Sequence, residues 1–238
     1  MPEFWKLHLK SISDLLSILI LNKFLRRGVS YFLDNSYTNK YFSGYHYWEN
    51  RYVKNGNSGK GSYGLFAKYK ANVLNKFVKD NNISKIVEFG CGDGNQLKQF
   101  QFPSYIGLDI SPTAIRECLG FFKDDHTKSF FIYNHKAFYD NSNIFLSELA
   151  ISLDVMYHLV EDEVYEKYLQ DLFSSASRFV IIYAWDVEGK PRRHVRHRKF
   201  SAWIAENLRE WNLTEVIHNA ELEGACDFFI YQKNSPAQ

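Results

Sequence analysis

The chain has 238 residues, enough for one domain with a sizeable core plus decorations. Its 29 basic and 27 acidic side chains nearly cancel, at +2, so bulk charge gives no reason to expect a DNA partner, and only a local patch would argue for nucleic acid. Three cysteines, at 91, 118 and 226, make neither a disulfide framework nor a C-x-x-C metal pattern; they read as small reduced apolar residues, as in a cytoplasmic protein.

The first apolar run, Leu15 to Leu21, is too short to span a bilayer, which takes about 20 residues. Lys6 and Lys10 precede it and Lys23, Arg26 and Arg27 follow it, without a small-residue cleavage site. Residues 11–27 therefore suit an amphipathic helix. It would lie on the inner membrane surface, or pack on the core or on a second subunit of a homo-oligomer. Residues 31–63 are aromatic and glycine-rich and carry no apolar period, so they read as loop and short helix. The Gly56–Gly64 stretch is not a P-loop, because Lys60 lacks the flanking residues in register.

From Leu65 the pattern turns helical, with Phe66, Tyr69, Val73 and Phe77 on one face and Asp80-Asn81-Asn82 as the stop. A strand over Lys85–Phe89 then breaks into Gly90-Cys91-Gly92-Asp93-Gly94, with a short helix expected around Leu97 and Phe100. Glycine tolerates positive φ and lets a ligand approach bare backbone. A helix start would add free N–H donors. A second strand, Tyr105–Leu108, ends in Asp109, placed to take two ribose hydroxyls as in nucleotide-binding sheets. Ser111 and Pro112 read as cap and first position of a helix with Ile115, Cys118, Leu119 and Phe122 on its apolar face. Strands over 130–133, 149–153 and 179–184 follow, with a helix after the acidic start Glu161-Asp162-Glu163. A last helix over 201–211 leads to strands near 213–218 and 227–232. Alternating strands and helices imply a mostly parallel sheet covered on both faces.

The glycine motif is not the dinucleotide G-x-G-x-x-G. Glu88 and Asp93 beside it would repel a pyrophosphate and tolerate a cationic ligand. Glu88-Phe89-Gly90-Cys91-Gly92-Asp93-Gly94, Asp109 and the strand order together resemble the class I S-adenosylmethionine-dependent methyltransferases, over residues 65 to 233. The resemblance implies a Rossmann-like α/β fold, a seven-stranded, mostly parallel sheet with an antiparallel last strand, and S-adenosylmethionine as cofactor. It implies that Glu88, Gly90, Gly92, Gly94, Asp109 and Ile110 hold the cofactor, with Asn134 near the adenine and Asp154 lining the pocket. Residues 1–64 would be an N-terminal helix and lid ahead of a methyltransferase domain over 65–238. Within that lid, Tyr47 to Tyr52 either close over the cofactor, with Arg51 on its methionine carboxylate, or pack on the sheet edge.

The resemblance also bears on the acceptor. Asp154 to Leu159 matches an acid-x-x-x-His-Leu run of small-molecule methyltransferases, which makes His158 the candidate base; a structural hydrogen bond is its other reading. Residues 190–199 gather six fixed cations and two histidines after the fifth strand. Arg192, His194, Arg196, His197 and Arg198 are candidates to bind an anionic acceptor, unless the run is a solvated loop. The lid, the glycine turn and this loop resemble a subgroup associated with bacterial surface-polysaccharide biosynthesis, which implies O-methylation of an acidic or phosphorylated sugar or glycan. A small anionic metabolite, RNA and a non-catalytic cofactor-binding scaffold stay open. No metal is expected, since Asp154, Glu161 and Asp162 do not converge on one ion unaided.

Overall fold

The computed structural model describes residues 43–189, 194–220 and 222–234. The segment 11–27, expected to form an amphipathic helix, lies outside the described residues, as do Lys190, Arg192 and Arg193 of the basic run. Among the described residues, no helix is long and apolar enough to cross a membrane.

Seven strands form one sheet: β1 (Lys85–Phe89), β2 (Ser104–Asp109), β3 (Lys128–Ile132), β4 (Ser147–Leu153), β5 (Ala176–Ala184), β6 (Trp211–Ile217) and β7 (Asp227–Lys233). Their order is β3-β2-β1-β4-β5-β7-β6. The first five are parallel, whereas β7 runs antiparallel to both β5 and β6. Among the described residues, five helices accompany them: α1 (Gly44–Val53), α2 (Gly64–Asp80), α3 (Pro112–Phe121), α4 (Asp162–Ser174) and α5 (Phe200–Asn207).

Alternation along the strands divides the apolar residues between two cores. Val87 and Phe89 of β1 pack with Tyr168, Leu169 and Leu172 of α4 and with Phe200 and Ile204 of α5. Ile86 points the other way, into a core shared with Ala71, Leu74 and Val78 of α2 and Ile115 and Cys118 of α3. Both faces are thus covered, which accounts for the near-continuous apolar sequence of the central strands.

Three local expectations shift. The inward face of α2 carries Ala67, Lys70, Ala71, Leu74 and Val78, while the more apolar stripe of Phe66, Tyr69, Val73 and Phe77 is only partly covered. In α3, Ser111 caps Ala114 N at 3.1 Å as expected, but Leu119 is exposed. The last helix ends at Asn207, and the bulky Trp211 opens β6, with its ring packed against Phe173 and Lys233.

β1 pairs with β2 on one side and with β4 on the other, so the chain leaves it in both directions. The carboxyl ends of β1 and β4 therefore flank a crevice, where open α/β sheets bind ligands. The described part of the aromatic segment, residues 43–63, belongs to one compact unit with the sheet.

Candidate active site

The glycine turn begins by hugging β2, as Gly90 N and Cys91 N both donate to Leu108 O, at 2.7 and 3.0 Å. Two of its glycines are required by what faces them. Gly90 has φ +87°, and a Cβ there would come within 2.4 Å of Val155 Cγ2. Gly92 has φ +58°, and its Cβ would meet Ser58 Oγ at 2.2 Å. Gly94 instead faces Cys118 of α3 and Phe122 just beyond it, and is not in the cleft wall. The helix expected beyond the turn is a single 3₁₀ turn, Leu97–Gln99, too short to supply a helix dipole.

Asp109 ends β2 with its carboxylate already oriented. Gly92 N donates to Oδ2 at 2.9 Å and Ser111 N to Oδ1 at 2.8 Å. Each oxygen keeps a further lone pair for a hydroxyl donor. Burial raises the Asp109 pKa to about 6, against the pull of those two bonds. Glu88, expected among the cofactor ligands, lies beneath the turn and not in the cleft wall. Its carboxylate accepts a 2.5 Å bond from Tyr105 Oη, and burial lifts its pKa to about 7. On β1 it shares the face of Ile86.

The aromatic segment is latched to the turn through Asp93. Ser58 N and Tyr63 Oη both donate to Asp93 Oδ2, at 2.9 and 2.8 Å, while Asp93 N donates back to Ser58 Oγ at 3.0 Å. Tyr52 Oη shares a 3.0 Å bond with the same Ser58 Oγ. From α1, Glu49 accepts Ser111 Oγ and Thr113 N at the start of α3, at 2.6 and 3.1 Å. Arg51, expected to meet the cofactor's carboxylate, spends Nε on Asn57 O at 2.6 Å, lies 5.5 Å from the Trp48 ring centroid, and is absent from the cleft wall.

At the end of β4, Asp154 adopts φ +62° and accepts Lys70 Nζ at 2.6 Å and Tyr157 Oη at 3.0 Å. The Lys70 side chain is 1% exposed. A lysine buried to that degree needs its counter-charge. Two residues past the loop start, a 3₁₀ turn over Met156–His158 presents His158 to the cleft. Its Nδ1 lies 2.9 Å from His194 O. A carbonyl only accepts, so Nδ1 carries the proton and Nε2 keeps its lone pair. Burial holds the His158 pKa down, to about 4.

The described residues of the basic segment, from His194 on, contact this loop. Arg198 reaches Leu159 O at 2.5 Å, Val160 O at 2.8 Å and Asp162 Oδ1 at 2.9 Å. Arg196 reaches the same Asp162 oxygen at 2.8 Å. His194 stacks on Tyr47 at 4.7 Å, and His197 packs beside Trp185 and Tyr157. The fifth candidate, Arg192, lies outside the described residues. After β3, exposed Asn134 receives Lys136 N, while the neighbouring His135 lines the cleft, its pKa lowered by burial.

The cleft has an empty volume of about 1010 Å³, including open solvent at its mouth. Gly90 and Gly92 form its floor with Asp109 and Ile110, and Asp154, Val155 and His158 close one side. Trp48, Tyr45 and Tyr52 bring an aromatic wall, and Glu161 and Val164 complete the far side. Among the described residues, no Lys or Arg lines it, and His194, Arg196, His197 and Arg198 of the expected anion-binding cluster are not in its wall. Sequence reasoning does not single out Lys70, Tyr52 or Ser58 as individual site residues, and Ser58 and Tyr52 carry a signal only through the glycine-rich and aromatic composition around them. His135 belongs with Asn134 to the pair that the resemblance puts near the adenine, and of the two it is His135 that lines the cleft.

Solved structures share this architecture. The N-methyltransferase NodS from Bradyrhizobium japonicum WM9, crystallised with S-adenosyl-L-homocysteine, superposes with a TM-score of 0.62 and 13% identity, over 81% of this chain and all of its own. Magnesium protoporphyrin IX methyltransferase ChlM from Synechocystis PCC 6803, also with S-adenosyl-L-homocysteine, gives 0.57 and 15%, over 84% and 100%. The methyltransferase domain of bacterial CtHen1-C gives 0.55 and 17%, over 70% and 97%. The fold is that of the S-adenosylmethionine-dependent methyltransferases. No protein-family model and no curated relative matches the chain.

The geometry of the cleft suits a nucleoside ligand. A carboxylate fixed by two backbone N–H groups faces it beside Gly90 and Gly92, and the described wall offers no cation to attract a pyrophosphate in place of a sulfonium. The three proteins named above are N-, porphyrin- and Hen1-type methyltransferases, and none of these names points to polysaccharide biosynthesis.

Proposed function

We propose that this protein is an S-adenosylmethionine-dependent methyltransferase acting on a hydroxyl of a small, uncharged acceptor, of which a sugar or glycan unit is the favoured kind. The observation that carries the cofactor half is Asp109, fixed by Gly92 N and Ser111 N at the edge of the glycine turn. Asp109 would hold the ribose hydroxyls, with Gly90, Gly92, Ile110 and Asp154 around the remainder. Bound there, S-adenosylmethionine supplies a methyl group activated on a sulfonium sulfur.

His158 supports the acceptor half. With Nδ1–H spent on His194 O, its Nε2 is the ring atom left to take a proton. A base held near pKa 4 is too weak to ionise a hydroxyl in advance. It suits a late transfer, taking the proton once the acceptor oxygen has become strongly acidic by bonding to carbon. Positioning then contributes most of the acceleration.

Among the described residues, the wall offers an anionic acceptor no lysine or arginine, which supports an uncharged acceptor over the anionic one expected from the basic run. Arg196 and Arg198 are committed to Asp162 and to backbone carbonyls, while Trp48 and Tyr45 supply stacking surfaces and Glu161 a hydrogen-bond acceptor. The test is calorimetry with S-adenosylhomocysteine on wild type and Asp109→Ala, followed by a methyl-transfer screen of matched neutral, amino and acidic sugars. Micromolar binding lost in the variant is expected, with turnover on neutral sugars. Well-folded wild type that binds nothing would overturn the reading.

A further inference from the structure

The basic segment has a use that the acceptor does not supply. Three carbonyls flanking His158 are each bound by it. Arg196 N donates to Tyr157 O at 2.8 Å, Arg198 Nη1 to Leu159 O, and Arg198 Nη2 to Val160 O. The bond in the other direction is His158 Nδ1–H to His194 O. His194 to Arg198 thus lies along the β4–α4 loop as a strap, stitched both ways.

Asp162 fastens the strap from below. One carboxylate oxygen takes both Arg196 and Arg198, and the Arg198 guanidinium lies 4.4 Å from the Tyr165 ring centroid, with 10% of its side chain exposed. A guanidinium provides several donors in one rigid plane, so it can serve two carbonyls and a carboxylate at once, which an ammonium does less well. Above, the His194 ring stacks on Tyr47 at 4.7 Å, which fixes the residue whose carbonyl receives the imidazole proton.

We infer that Arg198, with Asp162, is a positioning residue that holds the strap in place and thereby keeps His158 in its Nδ1–H form with Nε2 free for a proton. The catalytic consequence rests on the reading of His158 as the base; the positioning itself does not. The charged and titratable groups facing His158 are Asp154 and Tyr157 on its own loop, Arg51 on α1 and His194 on the strap, with Trp48 packed edge-on. The His194 carbonyl is the group bonded to the imidazole, so it selects the tautomer.

The test is nitrogen-15 NMR of the histidine rings in the full-length protein, with the His158 signals assigned from their loss in His158→Gln. Wild type should show Nδ1 protonated and Nε2 bare. Arg198→Met should move His158 toward the opposite tautomer and raise its midpoint by about one pH unit or more. Arg198→Lys should fall between the two. Asp162→Asn, at a largely exposed carboxylate, gives a second route that leaves the carbonyl bonds in place and should shift the signals in the same direction. Unchanged tautomer and titration in folded Arg198→Met and Asp162→Asn would overturn the inference. Turnover separates it from the base assignment. If His158→Gln methylates as fast as wild type, the base reading falls, whereas the strap stands or falls on the NMR signals alone.

Discussion

The ammonium of Lys70 lies 2.6 Å from Asp154 Oδ2, joining the middle of α2 to the end of β4 across 84 residues of sequence. The lysine is 1% exposed and the aspartate 18%, so neither charge is well solvated without the other. Asp154 in turn lines the cleft and takes Tyr157 Oη, next to His158. The pair ties one side of the site to a helix that packs its inward face on the sheet core.

Removing one partner should therefore cost more than removing both. Lys70→Met leaves Asp154 with the Tyr157 hydroxyl and the Cys226 thiol but no counter-charge, and is expected to lower stability by about 2–4 kcal/mol. At about 2–4 °C per kcal/mol for a chain of this size, melting should fall by roughly 4 to 16 °C. Lys70→Met with Asp154→Asn should recover part of that loss. A double variant that melts no higher than Lys70→Met would show that the two charges do not depend on each other.

The pH dependence of cofactor binding should report Asp109. Its pKa is raised to about 6 by burial, and only the ionised form has both oxygens open to hydroxyl donors. Affinity for S-adenosylhomocysteine is expected to be flat from pH 7 to 8 and to fall below pH 6, approaching about tenfold per unit. His158, near 4, stays neutral through that range and should contribute no inflection. Calorimetry between pH 5 and 8 checks this, and affinity that holds at pH 5 would exclude Asp109 as the group that titrates.

Much of the scaffold was legible because it is local. β1 occupies the expected Lys85–Phe89, and the Ser111-Pro112 start of α3 follows from cap and φ preferences that act within four residues. Asp109 was legible because an acid at the end of a second strand after a glycine turn has few other uses. Lys70 was not, since a lysine in a helix reads as solvated until its partner in β4 is known. Arg196 and Arg198 misled for the same reason. Their targets, Leu159, Val160 and Asp162, lie in a different segment, and a charge run does not say whether it faces a ligand or the protein's own carbonyls. Neither Arg196 nor Arg198 is in the cleft wall.

Glu88 should make the free protein less stable as pH rises. Its folded pKa, about 7, exceeds the ordinary 4.5, so the folded state holds a proton that the unfolded chain releases. That contribution is complete below pH 4.5 and is lost as pH passes 7. The shift corresponds to at most about 3 kcal/mol, at about 1.36 kcal/mol per unit. Glu88→Gln keeps an acceptor for Tyr105 Oη without the charge, so its melting temperature should change less between pH 5 and 8 than that of wild type. Parallel pH profiles for the two proteins would place the titrating group elsewhere.

Gly92 tests how firmly the aromatic segment is latched to the turn. Alanine there meets two penalties: φ of +58°, costing about 1–2 kcal/mol, and a Cβ only 2.2 Å from Ser58 Oγ. Ser58 cannot simply withdraw, because its hydroxyl accepts Asp93 N and is bonded to Tyr52 Oη, while its N–H donates to Asp93. Gly92→Ala should therefore lower stability by more than the backbone penalty and weaken S-adenosylhomocysteine binding, since the same N–H orients Asp109. Adding Ser58→Gly removes the steric contact and leaves the strained backbone, so it should restore only part of each loss. Calorimetry and thermal melts of the two single variants and the double decide it. Full recovery in the double would mean that the side-chain clash is the whole effect, and no recovery would mean that Ser58 does not rest on Gly92 in solution.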